Sequence, residues 1–271
     1  MTGGKKDSIL LEKQALSKET RKEREDGMKA KRAQRTVAGV LFITLLLCTV
    51  YALIRFLLTS DAPLGDPHGK LKSDYLLMLV QCCLGLIVMT LPTVFSRKLR
   101  LMVPGVMCIL YYVFLYAAII LGEILSFYHL FPGIWDSVLH AFSAAMLATL
   151  GFILVDWMNK ESHIKLSMNP AFVALFAFSF AVMVGTVWEI YEFAVDGILR
   201  LNMQHYAAPD MTPYVGRTAL LDTMKDIILD VGASLCVSLI GFFTVHKKKR
   251  SRDAAALCAN AQKDEGNKEF L

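Results

Sequence analysis

The chain has 271 residues, 55% of them apolar, with a mean hydropathy of +0.47 and a formal net charge of +5. That apolar content is too high for a soluble domain of this length, and the basic residues gather in tails and short loops beside apolar runs, which excludes a soluble enzyme and a nucleic-acid-binding protein. What remains is an all-α, polytopic membrane helical bundle.

Residues 1–35 are rich in Lys, Arg and Glu around a small apolar patch at Ile9, Leu10 and Leu11. Their composition predicts a charged cytoplasmic tail, either solvated or folded as a surface helix. The run from Lys29 to Arg35 is expected on the inner leaflet, drawn by about 1 kcal/mol per charge near anionic lipid. A crossing helix needs about 20 mainly apolar residues. Six segments qualify within 36–245, at 36–58, 75–95, 101–121, 136–157, 170–196 and 222–245. The first reads as an uncleaved signal-anchor, because a long charged region precedes it and no small-residue cleavage site follows. The fifth opens on Asn169-Pro170, an N-cap residue and then a proline whose missing amide hydrogen is harmless at the first helical position. Residues 246–271 form a second basic cytoplasmic tail. Of the six cysteines, Cys48, Cys82, Cys83, Cys108 and Cys236 lie in spans and Cys258 in the tail, so thiols packed as small apolar groups are expected.

Lys and Arg mark cytoplasmic loops and tails. Residues 21–36 carry seven, residues 97–100 carry Arg97, Lys98 and Arg100, the fourth connection carries Lys160 and Lys165, and residues 246–252 carry five. The opposite side offers Lys70, Lys72, Arg200 and Arg217. Both termini are therefore expected to be cytoplasmic, in a multi-pass protein of the cell membrane.

Eight carboxylates stand at or inside the outer ends of the last four spans: Glu123, Asp136, Glu189, Glu192, Asp196, Asp222, Asp226 and Asp230. A charge at the bilayer centre costs about 2.5 to 3.5 kcal/mol, so such residues are functional candidates. Residues three or four apart share a helix face. Asp136, His140 and Ser143 form one stripe, Glu189, Glu192 and Asp196 a second, and Asp222, Asp226 and Asp230 a third. All three belong to the outer half of the membrane under this topology, with Glu123 placed to complete the ring. Asp136 and Asp222 also suit capping of helix starts, and Glu123 and Asp196 suit the headgroup region. Glu189, Asp226 and Asp230 lie too deep for either role.

So many acids cannot all be ionised together in a low dielectric. They bind metal, carry protons, or pair with Lys225, Arg200, Arg217 or a protonated His140, and the few bases leave a deficit. Oxygen ligands with one imidazole suit Mg²⁺, Mn²⁺, Ca²⁺ or Zn²⁺. Asp136, His140, Glu189, Glu192, Asp222, Asp226 and Asp230 are the candidate metal ligands, and Glu189, Asp226 and His140 the candidate catalytic groups. The connection from Gly197 to Leu221 is long enough for a binding loop or lid. It carries His205, Tyr206, Asp210, Tyr214 and Arg217, groups suited to an anionic headgroup or acyl chain, although interfacial aromatics need no function. Trp135 and Trp157 mark the ends of the fourth span, and Trp188 is expected to pack beside the pocket.

The ordered set Trp135-Asp136-Ser137-Val138-Leu139-His140, Trp188-Glu189-Ile190-Tyr191-Glu192 and Asp222-Thr223-Met224-Lys225-Asp226 with Asp230-Val231-Gly232-Ala233 resembles the YjdF-like (DUF2238) family of bacterial inner-membrane proteins, over roughly Glu123 to Phe243. The Asp-x-x-x-His followed by acids on later helices is more loosely similar to the VanZ-like proteins, from which the chain departs in having Asp230 where an Asn is commoner. The resemblance implies a membrane location and brings no activity with it. Three functions fit the residues. One is a metal-dependent site for a lipid or polyprenyl headgroup entering from the outer leaflet. The second is a cation- or proton-coupled transporter. The third is a non-catalytic membrane subunit held by protonated interhelical contacts, which average only about 0.6 kcal/mol. The cytoplasmic halves of the last three spans are nearly all apolar, which favours a one-sided site over a transport path.

Overall fold

A computed structural model describes residues 3–59, 70–101, 103–161, 168–208 and 211–268. Lys160, Lys165, Asp210, Cys258 and the Ile9 to Leu11 patch lie outside the described residues or side chains. Among the described residues the elements are all helical. In order they are α1 (Gly3–Leu58), α2 (Lys72–Val88), α3 (Leu91–Lys98), α4 (Gly105–Leu115), a π-helix (Tyr116–Ile124), α5 (Phe127–Leu130), α6 (Ile134–Glu161), α7 (Pro170–Leu199), a 3₁₀ turn (Gly216–Leu220) and α8 (Leu221–Lys268). Six helical stretches are long and apolar enough to cross a membrane: Gly27–Leu58, Lys72–Lys98, Gly105–Ile124, Ile134–Asn159, Pro170–Leu199 and Gly216–Ser251. Two compact units result, one from residues up to Thr59 with Met78–Ile124, the other from Ser60–Leu77 with Leu125 onward.

In the first unit the core is apolar. Leu41 and Leu45 of α1 meet Cys82 of α2, Cys108, Tyr112 and Leu115 of α4, and Ile119 and Ile120 of the π-helix. The second span is interrupted where the sequence demands it. Pro92 has no amide to offer the Val88 carbonyl four residues back, so α2 stops at Val88 and α3 restarts at Leu91. Inside a membrane such a carbonyl needs a partner, and the Tyr111 hydroxyl donates to it at 2.8 Å. Tyr111→Phe is expected to cost about 1 to 3 kcal/mol by orphaning that carbonyl, read as a lower thermal midpoint in detergent. The π-helix departs from the regular helix expected over the third span. It carries Glu123, which accepts a hydrogen bond from Gln81 at 3.2 Å.

The second unit is a three-helix bundle of α6, α7 and α8, each packed against both others. The pairs approach at glycines. A Cβ on Gly151 of α6 would stand 2.7 Å from the Ala177 backbone of α7, one on Gly185 of α7 would strike Asp230 of α8, and one on Gly241 of α8 would strike the Phe152 ring of α6. Small residues at such contacts are how membrane helices reach close packing without a hydrophobic driving force. The buried face of α7 runs Val173, Ala177, Ala181, Gly185 and Glu189, four apart. Its opposite side exposes Phe172, Leu175, Met183, Val187 and Ile190. This reverses the polarity of a soluble bundle and suits lipid.

Local chemistry sets the helix ends. The Asn169 side chain accepts the Ala171 amide at 3.0 Å and Pro170 opens α7, which closes on Arg200 in the left-handed conformation. Before α6, Gly133 takes a φ of +68°, open to glycine at no steric cost, and its carbonyl receives the Lys225 ammonium at 2.7 Å. Among the described side chains Cys48, Cys82, Cys83, Cys108 and Cys236 are free thiols.

Candidate functional site

The acidic stripes of α6, α7 and α8 meet at the end of the bundle where α6 and α8 begin and α7 ends. His140 is the hub. Its Nε2 lies 3.6 Å from Glu189 Oε1 and 3.9 Å from Asp136 Oδ1, while its Nδ1 lies 3.4 Å from Asp230 Oδ1. Asp136, His140 and Asp226 each present a ligand atom within 4.8 Å of the other two. Two ligands of one ion stand no further apart than twice the bond, about 4 to 5 Å for oxygen donors. The spacing therefore fits a single divalent cation.

Burial deepens along the site. The side chains of Asp136 and Asp222 are 14% and 20% exposed, whereas those of Glu189 and Asp230 fall to 4% and 3%. The opening is thus at the helix ends. Glu189 Oε1, Asp226 Oδ1 and Asp230 Oδ2 are buried without a hydrogen-bond partner. Buried polar atoms are nearly always satisfied, and three orphaned oxygens on carboxylates grouped around one imidazole are a chemistry that a cation completes. Among the described residues, the ion-pair contacts of Asp136, Glu189 and Asp230 all run to His140, with no Lys or Arg among them. The stripe on α8 continues past Asp230 into Ser234 and Ser238, both buried. Ser234 Oγ donates to the Asp230 carbonyl at 2.6 Å.

The other candidates take other positions. Asp222 pairs with His205 Nδ1 at 3.0 Å, at the rim. Glu192, half-buried one turn beyond Glu189 on α7, is close enough to Glu189, Asp136 and Asp222 to feel their charge. Asp196 is turned to the backbone, accepting the amides of Met203 at 2.8 Å and Gln204 at 3.0 Å, which folds the following connection back onto α7. Lys225 is committed to the Gly133 carbonyl. Glu123 belongs to the first unit, with Gln81.

That connection is held down. Asn202 brackets Ala207 with two side-chain hydrogen bonds, Tyr214 N donates to the Tyr206 carbonyl at 2.9 Å, and Gln204 Nε2 reaches Thr223 Oγ1 at 2.9 Å on α8. Tyr214 and Arg217 remain exposed. Trp188 differs from its expected place beside the pocket: it is 38% exposed and packs on Tyr191, because one residue of helix turns it about 100° away from Glu189. Gly185 was not among the candidates, yet it clears the space that the Asp230 carboxylate occupies. Its only sequence signal is its place four residues before Glu189 on the same face.

The family described as "Predicted membrane protein (DUF2238)" matches residues 40–248, from within the first span to near the end of the sixth, and takes in the whole His140 cluster. The chain belongs to the DUF2238 family. This DUF2238 protein is similar to a protein from Thermotoga maritima described as "Uncharacterized protein". That relative is 31% identical over 137 residues, 49% of this chain and 58% of its own length, so the match spans little more than half of it. No solved structure matches the chain.

Proposed function

We propose that the cluster holds a divalent cation through Asp136, His140 and Asp226, with Glu189 beside them, and that this centre receives the headgroup of a lipid or polyprenyl amphiphile. The protein sits in a bacterial cytoplasmic membrane with both termini inside, so that the site opens to the outer leaflet. The spacing of the three ligand atoms carries this reading. The orphaned oxygens support it, because a cation offsets both the like-charge repulsion and the desolvation that the buried Glu189, Asp226 and Asp230 would otherwise suffer.

His140 has a division of labour built into its two nitrogens. With Nδ1–H donated to Asp230, the Nε2 lone pair faces Asp136 and Glu189 and is free to ligate. Asp230 is then an orienting group, the carboxylate–histidine–metal arrangement that fixes tautomer and ring direction. A bound divalent ion supplies Lewis acidity toward a phosphate or carbonyl oxygen. Glu189, with one oxygen unpartnered, is the group placed to hold or move a proton. The exposed Arg217 supplies positive charge for an anionic headgroup.

Mn²⁺ titration followed by pulsed electron paramagnetic resonance tests this. The wild type is expected to show nitrogen coupling from one imidazole, and His140→Gln to lose it. Asp230→Asn is expected to keep the coupling while binding about 10 to 100-fold more weakly. Bound Mn²⁺ without nitrogen coupling would contradict the assignment.

A second reading is favoured by Ser234 and Ser238. They extend the buried line of α8 beyond Asp230 toward the other end, and Ser238 Oγ is unpartnered. A cation- or proton-coupled transporter would use such a line. Ser234→Ala/Ser238→Ala would abolish ion uptake into vesicles under that reading and leave Mn²⁺ binding unchanged under the first.

A further inference from the structure

In the first unit a cavity of about 300 Å³ opens between α1, α3 and α4, lined by Lys31, Gln34, Arg35, Ala38, Thr93 and Tyr112. Lys31 and Arg35 are four apart and share a face of α1. Gln34, Thr93 and Tyr112, the last buried in the core, add neutral hydrogen-bonding groups to the cavity wall. Among the described residues no carboxylate lines the space. Two cations with neutral hydrogen-bonding groups, and no acid among the described lining residues, complement an oxyanion with several acceptor oxygens, and the planar guanidinium of Arg35 suits the paired oxygens of a phosphate.

Position selects the anion further. The cavity straddles the place on α1 where the charged stretch gives way to the apolar run from Val37 onward. Arg97 and Lys98 end α3 one turn beyond Thr93. This is the level at which phospholipid phosphates lie, and basic pockets between helices there bind phosphorylated headgroups. We propose that this cavity is a binding site for a phosphate group, presented by an anionic phospholipid or by a soluble phosphate, with Lys31 and Arg35 carrying the charge and Gln34 and Thr93 donating. It differs from diffuse attraction of the basic run to the membrane in requiring particular positions, independent of total charge.

Native mass spectrometry of the full chain, released from nanodiscs of phosphatidylglycerol in excess phosphatidylcholine at 0.15 M salt, tests it under conditions that screen surface attraction. The wild type is expected to retain about one phosphatidylglycerol. Lys31→Gln/Arg35→Gln is expected to weaken retention about tenfold or more, and Lys29→Gln/Arg32→Gln, which removes the same charge outside the cavity, by less than about twofold. Thr93→Val, with no change of charge, is expected to fall between them. Inorganic phosphate is added as a competitor: displacement of the lipid assigns the site to soluble phosphate, and persistence of the lipid assigns it to the headgroup. Equal losses in the two double variants would overturn the proposal, as would a wild type that retains neither phosphatidylglycerol nor phosphate.

Discussion

Gly185→Ala is expected to lower metal affinity about 10 to 100-fold while leaving every ligand in place. The added Cβ would overlap Asp230 Oδ2 and crowd its Cγ at 2.8 Å. What it meets is the end of a side chain, so the bundle can yield by rotating the carboxylate. Rotation takes Asp230 Oδ1 off His140 Nδ1, where it now stands at 3.4 Å. The imidazole then loses the partner that holds Nε2 toward Asp136 and Glu189. Calorimetric Mn²⁺ binding on the purified variant reads the effect. Its helicity and thermal midpoint are expected to stay close to wild type, and unchanged Mn²⁺ affinity would show that Asp230 does not orient the ring.

Gly151→Ala is expected to do the reverse. Its Cβ would stand 2.7 Å from Ala177 Cα and 3.0 Å from Ala177 Cβ, so the obstruction is backbone and α6 has to move from α7. Overpacking of this kind costs about 1 to 3 kcal/mol, and the loss of close van der Waals contact along the helix pair adds to it. A fall in the thermal midpoint in detergent is the expected result. Mn²⁺ affinity of the fraction that remains folded is expected to change far less than in Gly185→Ala, since Gly151 lies three turns from His140 along α6. Equal effects of the two substitutions on affinity and stability would mean that the site and the packing are one property.

The chain reveals its helices and withholds their meeting points. Unbroken apolar runs and the Asn169-Pro170 start were legible because a spanning helix satisfies its own backbone and its ends follow local rules. Helical spacing likewise put Asp136 with His140, and Asp226 with Asp230, on common faces. Their contact with Glu189 is a tertiary fact that depends on which helix neighbours which. Asp196 shared a stripe with Glu189, but its partners are two amides of the returning connection, and nothing local announces that return. Lys225 looked like a counter-charge for the acids and instead reaches a carbonyl 92 residues away in sequence. The second span reads as one helix over 75–95, so the interruption at Pro92 came from the structure, and its repair by Tyr111 needed the approach of α4. The role of Gly185 was hidden for the same reason, since its function is the space it leaves for another helix.

The central claim is that one divalent ion sits among Asp136, His140, Asp226 and Glu189. Mass-spectrometric metal content of the detergent-purified protein, compared after identical dialysis between wild type and Glu189→Gln/Asp226→Asn, tests it most directly. The account predicts about one divalent ion per wild-type chain, lost from a double variant that keeps its helical circular dichroism and thermal midpoint. An ion retained by the folded double variant, or absent from both proteins even when supplied in excess, would contradict it.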